Sequence, residues 1–282
     1  MELSIAEALF EATQILRTAG VPESRREAGS LLAHVIQKDR TFLISHAEEK
    51  LEPHTVHEFR DVVERRAAGE PLQYITGYQD FYGRSFRVTP DVLIPRPETE
   101  LLVEAALGLM HGSRFCDVGT GSACIAVTLL CERPDSRAVG LDVSPAALAV
   151  ARENAGAQRV DQRIEFHVSD CFDALPENTR PFDLIVSNPP YVAADVVAGL
   201  QREVKDHEPM VALTPGPDGL SIIRRLITQA PQFLQKDGHL LLEIGFDQGE
   251  AVRELVEGSK FKLLETRPDL QGIPRIVILR RL

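Results

Sequence analysis

The sequence predicts an α/β protein, with a doubly wound sheet of seven strands that follows a small helical bundle and a β-hairpin linker. Three observations lead to this prediction. Apolar residues recur at helical spacing over the first 70 residues, short apolar runs alternate with helical segments in the rest of the chain, and a glycine-rich turn follows the first of those runs. The fold class therefore changes along the chain.

Residues 1–72 are predicted to form the helical domain. Ser4 and Glu7 have the spacing of a capping box, and Gly20 ends the helix that they begin. A second apolar stripe follows, and Pro53 opens a third helix. Charged residues on the remaining faces are expected to be solvated, with a partner-binding face as the alternative.

Residues 73–95 are predicted to form the hairpin linker, because aromatic and β-branched residues alternate there with glycines. Residues 96–282 then form the α/β domain. Its predicted strands cover residues 115–118, 139–142, 164–168, 184–187, 240–244, 261–266 and 276–280. The last two runs are too close for a helical crossover, so they should pair antiparallel at the sheet edge.

Composition excludes several classes of protein. With 44% apolar residues and a net charge of −11 over 282 residues, the chain is predicted to be globular and is poorly suited to bind nucleic acid tightly. No run reaches the roughly 18 apolar residues that span a bilayer, and Met1-Glu2 opens no signal peptide. We therefore expect a cytoplasmic protein without a membrane partner.

No metal site is predicted. The four cysteines follow neither a metal-binding nor a disulfide spacing and are interpreted as buried thiols. His54 and His57 form an H-x-x-H pair, but nothing nearby completes a ligand set.

A glycine-rich turn follows the first predicted strand and leads into a helix. Its free N–H groups would suit a polar or anionic ligand group, and Asp142, at the end of the next strand, could accept hydrogen bonds from both hydroxyls of a ribose. Cys124 replaces the third glycine of the dinucleotide pattern, so a nicotinamide cofactor fits poorly. The pattern favours an adenine nucleoside or nucleotide over a turn without a ligand. The turn residues assigned to this ligand are Asp117, Gly119, Thr120, Gly121, Ser122 and Ala123.

The third predicted strand ends at Asp170, Cys171 and Phe172. Asp170 could reach the amino group of adenine, and Phe172 could flank the ring. An aspartate at a strand end is as often a helix cap, so both interpretations remain open for Asp170.

The fourth predicted strand runs into Asn188, Pro189, Pro190 and Tyr191, which should face the glycine turn. The prolines leave carbonyl groups free to accept hydrogen bonds, and the Asn188 side-chain oxygen adds another acceptor. Two acceptors would hold both hydrogens of a planar amino group and aim its nitrogen lone pair at an electrophile, while Tyr191 would provide an aromatic wall. A structural Pro-rich turn would not explain the asparagine and the tyrosine.

These motifs resemble those of S-adenosylmethionine-dependent methyltransferases that modify planar amino nitrogens. Residues 69–77 and 94–100, together with Glu208-Pro209 and Asp218-Gly219-Leu220, narrow the resemblance to the peptide chain release factor glutamine methyltransferases, known as HemK or PrmC. Asn-Pro-Pro-Tyr alone is shared with DNA adenine and RNA guanine methyltransferases.

The resemblance implies a Rossmann-like methyltransferase sheet and an enzyme that methylates the side-chain amide N5 of the Gly-Gly-Gln glutamine in class 1 release factors, with S-adenosylhomocysteine as the other product. It implies that residues 119–123, Asp142, Cys171 and Asn188 contact S-adenosylmethionine, and that residues 188–191 bind the glutamine. Asn188, Pro189 and Tyr191 would be catalytic. The sequence departs from the family pattern at Ala123, where glycine is usual, and this methyl group is expected to tighten the methionine pocket.

Two further segments are expected to shape the site. Arg96, Glu98 and Thr99 lie where the linker enters the α/β domain, and they are predicted to close the site on the substrate unless they form a purely structural hinge. The segment 192–220 lacks clear periodicity and is predicted to be a lid.

Competing hypotheses are a DNA adenine or RNA guanine methyltransferase and a module that binds an adenosyl ligand without catalysis. The acidic charge and the lack of a basic stripe on the N-terminal helices count against the first, and the intact Asn-Pro-Pro-Tyr counts against the second. We expect the N-terminal helices to recognise a release factor, no direct nucleic-acid partner, and a monomeric chain.

Overall fold

The structure is a computed structural model that describes residues 3–110 and 114–282. Met1 and Glu2, at which no signal peptide is predicted, and residues 111–113 lie outside the described residues. The described part of the chain divides into two compact units. The first contains the residues up to Tyr78 together with Gln201–His207, and the second contains Gln79–Leu200 and Glu208–Leu282.

Helices are numbered in chain order over the described residues. They are α1 (Ile5–Thr18), α2 (Ser24–Ile36), α3 (Arg40–Ser45), α4 (Pro53–Ala67), α5 (Leu72–Thr76), α6 (Glu100–Leu109), α7 (Cys124–Glu132), α8 (Pro145–Ala157), α9 (Arg202–His207), α10 (Met210–Leu213), α11 (Ser221–Gln229) and α12 (Gly249–Val256). Short 3-10 helices cover Pro97–Thr99, Asp161–Arg163, Val197–Gly199 and Ala230–Gln232.

The first unit is helical, as the apolar spacing predicts. The predicted capping box of α1 is present, since the Glu7 amide donates to Ser4 Oγ (3.2 Å) and the Ser4 amide donates to Glu7 Oε2 (2.7 Å). Leu16 and Leu32 are fully buried between the helices. Helix α5 forms a turn of helix where the sequence predicts the start of the hairpin linker.

Helix α9 comes from a distant part of the chain but packs within the first unit. The buried guanidinium of Arg66, on α4, donates to Glu27 Oε2 (2.5 Å) and to Glu203 Oε1 (2.5 Å). Desolvation of a charge is costly unless it is paired, so these carboxylates are what make the burial of Arg66 tolerable. The first unit therefore includes a segment that local sequence patterns do not assign to it.

Strands are also numbered in chain order. They are β1 (Tyr78–Phe81), β2 (Arg84–Arg87), β3 (Arg114–Val118), β4 (Arg137–Asp142), β5 (Ile164–Val168), β6 (Phe182–Ser187), β7 (Leu234–Glu243), β8 (Phe261–Pro268) and β9 (Pro274–Arg281). Strands β1 and β2 form the predicted hairpin, and over residues 3–110 and 114–282 the other seven form one sheet in the order β5-β4-β3-β6-β7-β9-β8.

The sheet confirms the predicted fold class. Strands β3 to β7 run parallel, and β8 and β9 pair antiparallel, as their short connection requires. Strand β9 is the one that runs antiparallel to the parallel strands. It lies between β7 and β8, so the outermost strand at this edge is β8 and not β9.

Apolar side chains cover both faces of the sheet. Residues of α6 and α7 pack on one face and residues of α11 and α12 on the other. The chain moves from β3 outward to β5 and then returns to the far side of β3 as β6, so the carboxyl ends of β3 and β6 flank the switch point of the sheet. Ligands bind at this point in doubly wound sheets.

Among the described residues, no helix is both long enough and apolar enough to cross a bilayer. The same residues contain no group of three or more His, Cys, Asp or Glu side chains arranged to hold a metal ion.

Candidate active site

A cavity of about 440 Å³ opens at the carboxyl ends of β3, β4 and β6. Its walls come from the glycine turn after β3, the loops after β4, β5 and β6, the segment 91–99, and residues 211–225 of the predicted lid and α11. All of these residues belong to the second unit. The sequence elements predicted to meet at the switch point therefore line one cavity.

The glycine turn is shaped by positive backbone angles. Gly119 has φ of +72° and Gly121 has φ of +53°, a region that residues with a side chain rarely adopt. A Cβ built at either position would meet no protein atom within 4 Å. The turn thus leaves the volume of its missing side chains open, as a cradle for a ligand would require.

The amides of the turn are mostly used within the protein, contrary to the expectation of free N–H donors. The Gly119 and Thr120 amides donate to the Leu141 carbonyl (2.8 and 2.9 Å), and the Gly121 amide donates to Asp142 Oδ2 (2.8 Å). Few donors remain for a phosphate, so the turn does not act as an anion-binding loop. This arrangement fits a ligand that is recognised through its hydroxyl groups.

Asp142 ends β4 and lies at the cavity wall. Its Oδ2 accepts from the Gly121 amide, and its Oδ1 accepts from the Ser144 amide (2.9 Å). Each carboxylate oxygen keeps a lone pair for a further donor. Burial raises the pKa of Asp142 above its ordinary value, while the bonds from the backbone oppose that shift. Ser144 also caps α8, since its Oγ accepts from the Ala147 amide (3.1 Å).

Asp117 supports the turn from beneath and does not line the cavity. It is fully buried, and its Oδ2 accepts from the Thr120 hydroxyl (2.7 Å). Burial raises its pKa to about 7. Thr120 and Ser122 line the cavity directly, so Asp117 acts on a ligand only through the turn that it holds.

Asn188 lies at the end of β6, on the cavity wall, with Pro189 and Pro190 beside it. Its Nδ2 donates to Thr99 Oγ1 (3.1 Å), and the Thr99 hydroxyl donates to Glu243 Oε2 (2.7 Å). No described residue donates to Asn188 Oδ1. The side-chain amide is therefore anchored through its nitrogen, and its oxygen is left to accept from a substrate.

Tyr191 is half-buried and packs against the core instead of lining the cavity. Its hydroxyl donates to Glu243 Oε1 (3.3 Å), and burial raises the pKa of that hydroxyl well above its ordinary value. The Tyr191 carbonyl accepts from Gln248 Nε2 (3.0 Å), which also donates to the Gly219 carbonyl (3.2 Å). Gln248 thus ties the end of the Asn-Pro-Pro-Tyr segment to the predicted lid.

The predicted lid is folded, not irregular. It contains α10, and the Val192 amide donates to the Leu213 carbonyl (3.0 Å) while the Ala194 amide donates to the Gly216 carbonyl (3.1 Å). Arg96, on the cavity wall, donates to the buried carboxylate of Glu208 at 2.5 Å. Arg96 is therefore held by an ion pair with a residue in the middle of the same segment.

Asp170 and Cys171 line the cavity, but Phe172 does not. Asp170 Oδ1 accepts from the guanidinium of Arg225, on α11, at 2.8 Å. Phe172 is buried and stacks on Phe233 with ring centroids 5.0 Å apart. The structure thus places Phe172 in the core, away from any ring held in the cavity.

Two family models match the chain. The model described as the PrmC N-terminal domain matches residues 7–77, and one described as a methyltransferase domain matches residues 109–262. A release factor glutamine methyltransferase of Cereibacter sphaeroides is 48% identical over 98% of both chains. The chain belongs to the release factor glutamine methyltransferase family.

Other relatives agree with this assignment. A release factor glutamine methyltransferase of Koribacter versatilis is 42% identical over 99% of both chains. The crystal structure of a methyltransferase from Pyrococcus furiosus has a TM-score of 0.54 at 15% identity, covering 78% of this chain and 98% of that chain. That likeness reflects the fold alone.

Ala123 adopts a left-handed backbone conformation with φ of +62°. A glycine, which the family resemblance leads us to expect at this position, would avoid the cost of about 1–2 kcal/mol that a residue with a Cβ incurs there. The methyl group is fully buried in the core and does not line the cavity. It is therefore not placed to tighten a methionine pocket.

Ala123→Gly is expected to leave the affinity for S-adenosylmethionine within about twofold of wild type, a difference below about 0.5 kcal/mol. Relief of the backbone strain opposes the loss of one buried methyl, worth about 0.8 kcal/mol, so the free energy of unfolding should change by no more than about 1 kcal/mol. Calorimetric titration and urea unfolding measure the two quantities. An affinity change of fivefold or more would mean that the methyl group reaches the ligand.

Several cavity residues are not evident from sequence patterns. Val143 and Ile222 are apolar and line the cavity, so they replace Phe172 as candidates to flank an adenine ring. Arg225, on the cavity wall, is brought there by α11, and Glu243, on β7, does not line the cavity but binds the cavity residue Thr99. Asp142, by contrast, is predictable from the sequence, because its spacing from the glycine turn is itself a signal.

Proposed function

We propose that this protein transfers a methyl group from S-adenosylmethionine to the side-chain amide nitrogen of the glutamine in the Gly-Gly-Gln motif of class 1 peptide chain release factors. One observation carries the proposal beyond family membership. Asn188 presents an unpaired side-chain oxygen on the wall of the cavity that the glycine turn and Asp142 also line. A hydrogen-bond acceptor for an amino group thus shares a cavity with an acceptor for ribose hydroxyls.

The residues present fit S-adenosylmethionine. The open volume beside Gly119 and Gly121 would admit the ligand close to the backbone, and the lone pairs of Asp142 would accept from the ribose hydroxyls. Val143 and Ile222 would flank the adenine, with Asp170 and Cys171 at its edge. When bound, S-adenosylmethionine supplies a methyl group already activated on a sulfonium.

The protein's task is to orient a weak nucleophile. The lone pair of an amide nitrogen is delocalised, so attack requires alignment and stabilisation of positive charge on that nitrogen. Asn188 Oδ1 and the Pro189 carbonyl would accept the two hydrogens of the glutamine amide, and both bonds would strengthen as the nitrogen becomes positive.

Methyl transfer requires no nucleophilic side chain of the protein, because the glutamine nitrogen would attack the methyl carbon directly. The glutamine nitrogen forms a bond to the methyl carbon as the bond from that carbon to sulfur breaks, and the bonding pair stays on sulfur to give S-adenosylhomocysteine. The nitrogen then releases one proton to water. Pro190 would bound the glutamine subsite, with Arg96 and Thr99 at its other side, while Tyr191 would support this subsite from the core.

The domains are assigned roles on the same basis. Residues 1–72 would recognise the release factor away from its glutamine, residues 73–95 would link the domains, and residues 96–282 would hold the cofactor and the chemistry. The match of residues 7–77 to the PrmC N-terminal domain supports a family-specific role for the helices. We further infer a cytoplasmic monomer that does not bind nucleic acid directly. The net charge of −11 supports the last of these points.

One assay tests the proposed function. The protein and S-adenosylmethionine labelled in the methyl group are incubated with a release factor, with its Gly-Gly-Ala variant, or with adenine-rich DNA. Label is expected on the release factor alone. Equal label on the variant would place the methyl group elsewhere, and label on the DNA would favour a base methyltransferase.

A further inference from the structure

A buried chain of hydrogen bonds connects the carboxylate of Glu243, which has no role in the methyl transfer described so far, through Thr99 to the side chain of Asn188. Glu243, the last residue of β7, is 1% exposed and accepts from the Thr99 hydroxyl at 2.7 Å. Thr99, which is 2% exposed, accepts in turn from Asn188 Nδ2 at 3.1 Å. Since β6 and β7 are adjacent parallel strands, their carboxyl ends bring Asn188 and Glu243 to the two sides of Thr99.

The direction of these bonds depends on the charge of Glu243. An ionised carboxylate only accepts, so both neighbouring hydroxyls, those of Thr99 and Tyr191, must donate to it. The Thr99 oxygen then has only lone pairs left for its other neighbour. Asn188 must therefore turn its NH2 group toward Thr99 and its oxygen toward the cavity.

Protonation of Glu243 would reverse this order. A protonated Oε2 donates to Thr99 Oγ1, and the Thr99 hydroxyl is then free to donate to Asn188. The Asn188 amide would turn its oxygen to Thr99 and its NH2 group to the cavity. Two NH2 groups would then face each other where the substrate amide requires an acceptor.

We propose that Thr99 and Glu243 are positioning residues that set which end of the Asn188 amide faces the substrate, with ionised Glu243 as the state that presents the oxygen. This inference rests on the proposed function in assigning an amide substrate to the cavity. The residues act through Asn188 and do not touch the reacting atoms.

The surroundings of Glu243 place its titration in an accessible pH range. Burial raises the pKa of Glu243 to about 7, and the bonds from Thr99 and Tyr191 oppose that shift. Two charged groups face it from neighbouring elements: Arg275, on β9, lowers the pKa, and Glu98, in the 3-10 helix before α6, raises it. Cys124, at the start of α7, is close by but neutral, because burial raises its thiol pKa to about 12.

Activity is the first test, with Thr99→Val and Thr99→Ser as a matched pair. Valine keeps the shape but removes the hydroxyl, so turnover should fall about 10- to 100-fold while KM for S-adenosylmethionine changes less than about threefold. Serine keeps the hydroxyl and should retain turnover within about threefold. Equal turnover of the two variants would overturn the proposal.

The pH profile is the second test. Wild-type turnover should fall about tenfold from pH 8 to pH 6, because the ionised form of Glu243 is lost as pH falls through about 7. Glu243→Gln cannot titrate and should give a flat profile over this range. A variant that kept the wild-type acid limb would show that another group is responsible.

A third measurement does not require turnover and so separates this inference from the proposed function. Asn154, Asn178 and Asn188 are the only asparagines in the sequence, so selective ¹⁵N-asparagine labelling gives three side-chain NH2 signals. The signal missing from Asn188→Asp identifies Asn188. It should shift with pH around 7 in the wild type and stay constant in Glu243→Gln.

Asn154 is the internal control. Its NH2 group donates to the Arg87 carbonyl (3.0 Å) and the Ser122 carbonyl (2.9 Å), so its signal should not follow Glu243. A constant Asn188 signal in the wild type would overturn the inference even if the release factor is methylated. An inactive wild type with a shifting Asn188 signal would refute only the proposed function.

Discussion

Asn188→Ala is expected to lower the rate of methyl transfer at saturating S-adenosylmethionine by about 10²- to 10³-fold. Loss of one preorganised group that stabilises developing charge has an effect of this size. The substitution removes the acceptor for the substrate amide but leaves the glycine turn and Asp142 intact, so the dissociation constant for S-adenosylmethionine should change less than about threefold. Single-turnover label transfer and calorimetric titration measure the two effects.

Asn178→Ala is the matched control for this substitution. Asn178 is exposed in the loop between β5 and β6 and does not line the cavity, so its loss should change neither quantity. Turnover of Asn188→Ala close to the wild-type rate would remove Asn188 from the mechanism. A parallel loss of cofactor binding would mean that its main contact is with S-adenosylmethionine.

Asp142→Asn is expected to weaken S-adenosylmethionine binding by about 10- to 100-fold. Hydrogen bonds to a charged group contribute about 1.5–3 kcal/mol, and each 1.4 kcal/mol corresponds to a factor of ten. Asparagine keeps one oxygen, so either the Gly121 amide or the Ser144 amide also loses its acceptor. The rate at saturating cofactor should fall much less than the affinity, and calorimetric titration with stopped-flow turnover separates the two.

Asp173→Asn makes the same chemical change at a nearby loop and serves as the control. Its carboxylate is exposed, lies 3.9 Å from Arg225, and does not line the cavity. The affinity of the Asp173→Asn variant for S-adenosylmethionine should stay within about twofold of that of the wild type. If Asp142→Asn bound S-adenosylmethionine as tightly as the wild type does, the ribose would have to be held by other residues.

Local signals in the sequence predict the fold well where the physical cause is itself local. The capping box of Ser4 and Glu7 and the Ser144 cap depend on residues three positions apart, and both are present in the structure. The apolar runs predict the strands because a parallel sheet is buried on both faces. The glycine turn, Asp142 and Asn188 share a cavity because strand ends meet at the switch point.

Other features depend on partners that are distant in sequence. Glu243 ends an ordinary apolar strand, and its contacts with Thr99 and Tyr191 arise only from the placement of β7 beside β6. Periodicity also cannot tell which way an aromatic residue after a strand will turn, and Phe172 turns into the core against Phe233. The sequence predicts free amides in the glycine turn because their acceptor is not local. The amides of Gly119 and Thr120 donate to the carbonyl of Leu141, which lies on another strand.

The assignment of α9 to the first unit has a consequence for the time at which that unit can fold during synthesis. Glu203 is made 125 residues after the unit's main segment ends at Tyr78 (203 − 78 = 125). At about 5–20 residues per second, the buried guanidinium of Arg66 waits on the order of ten seconds for its second carboxylate. The helices of the first unit thus leave the ribosome before α9, and their packing is completed only when strands β3 to β6 have also been synthesised.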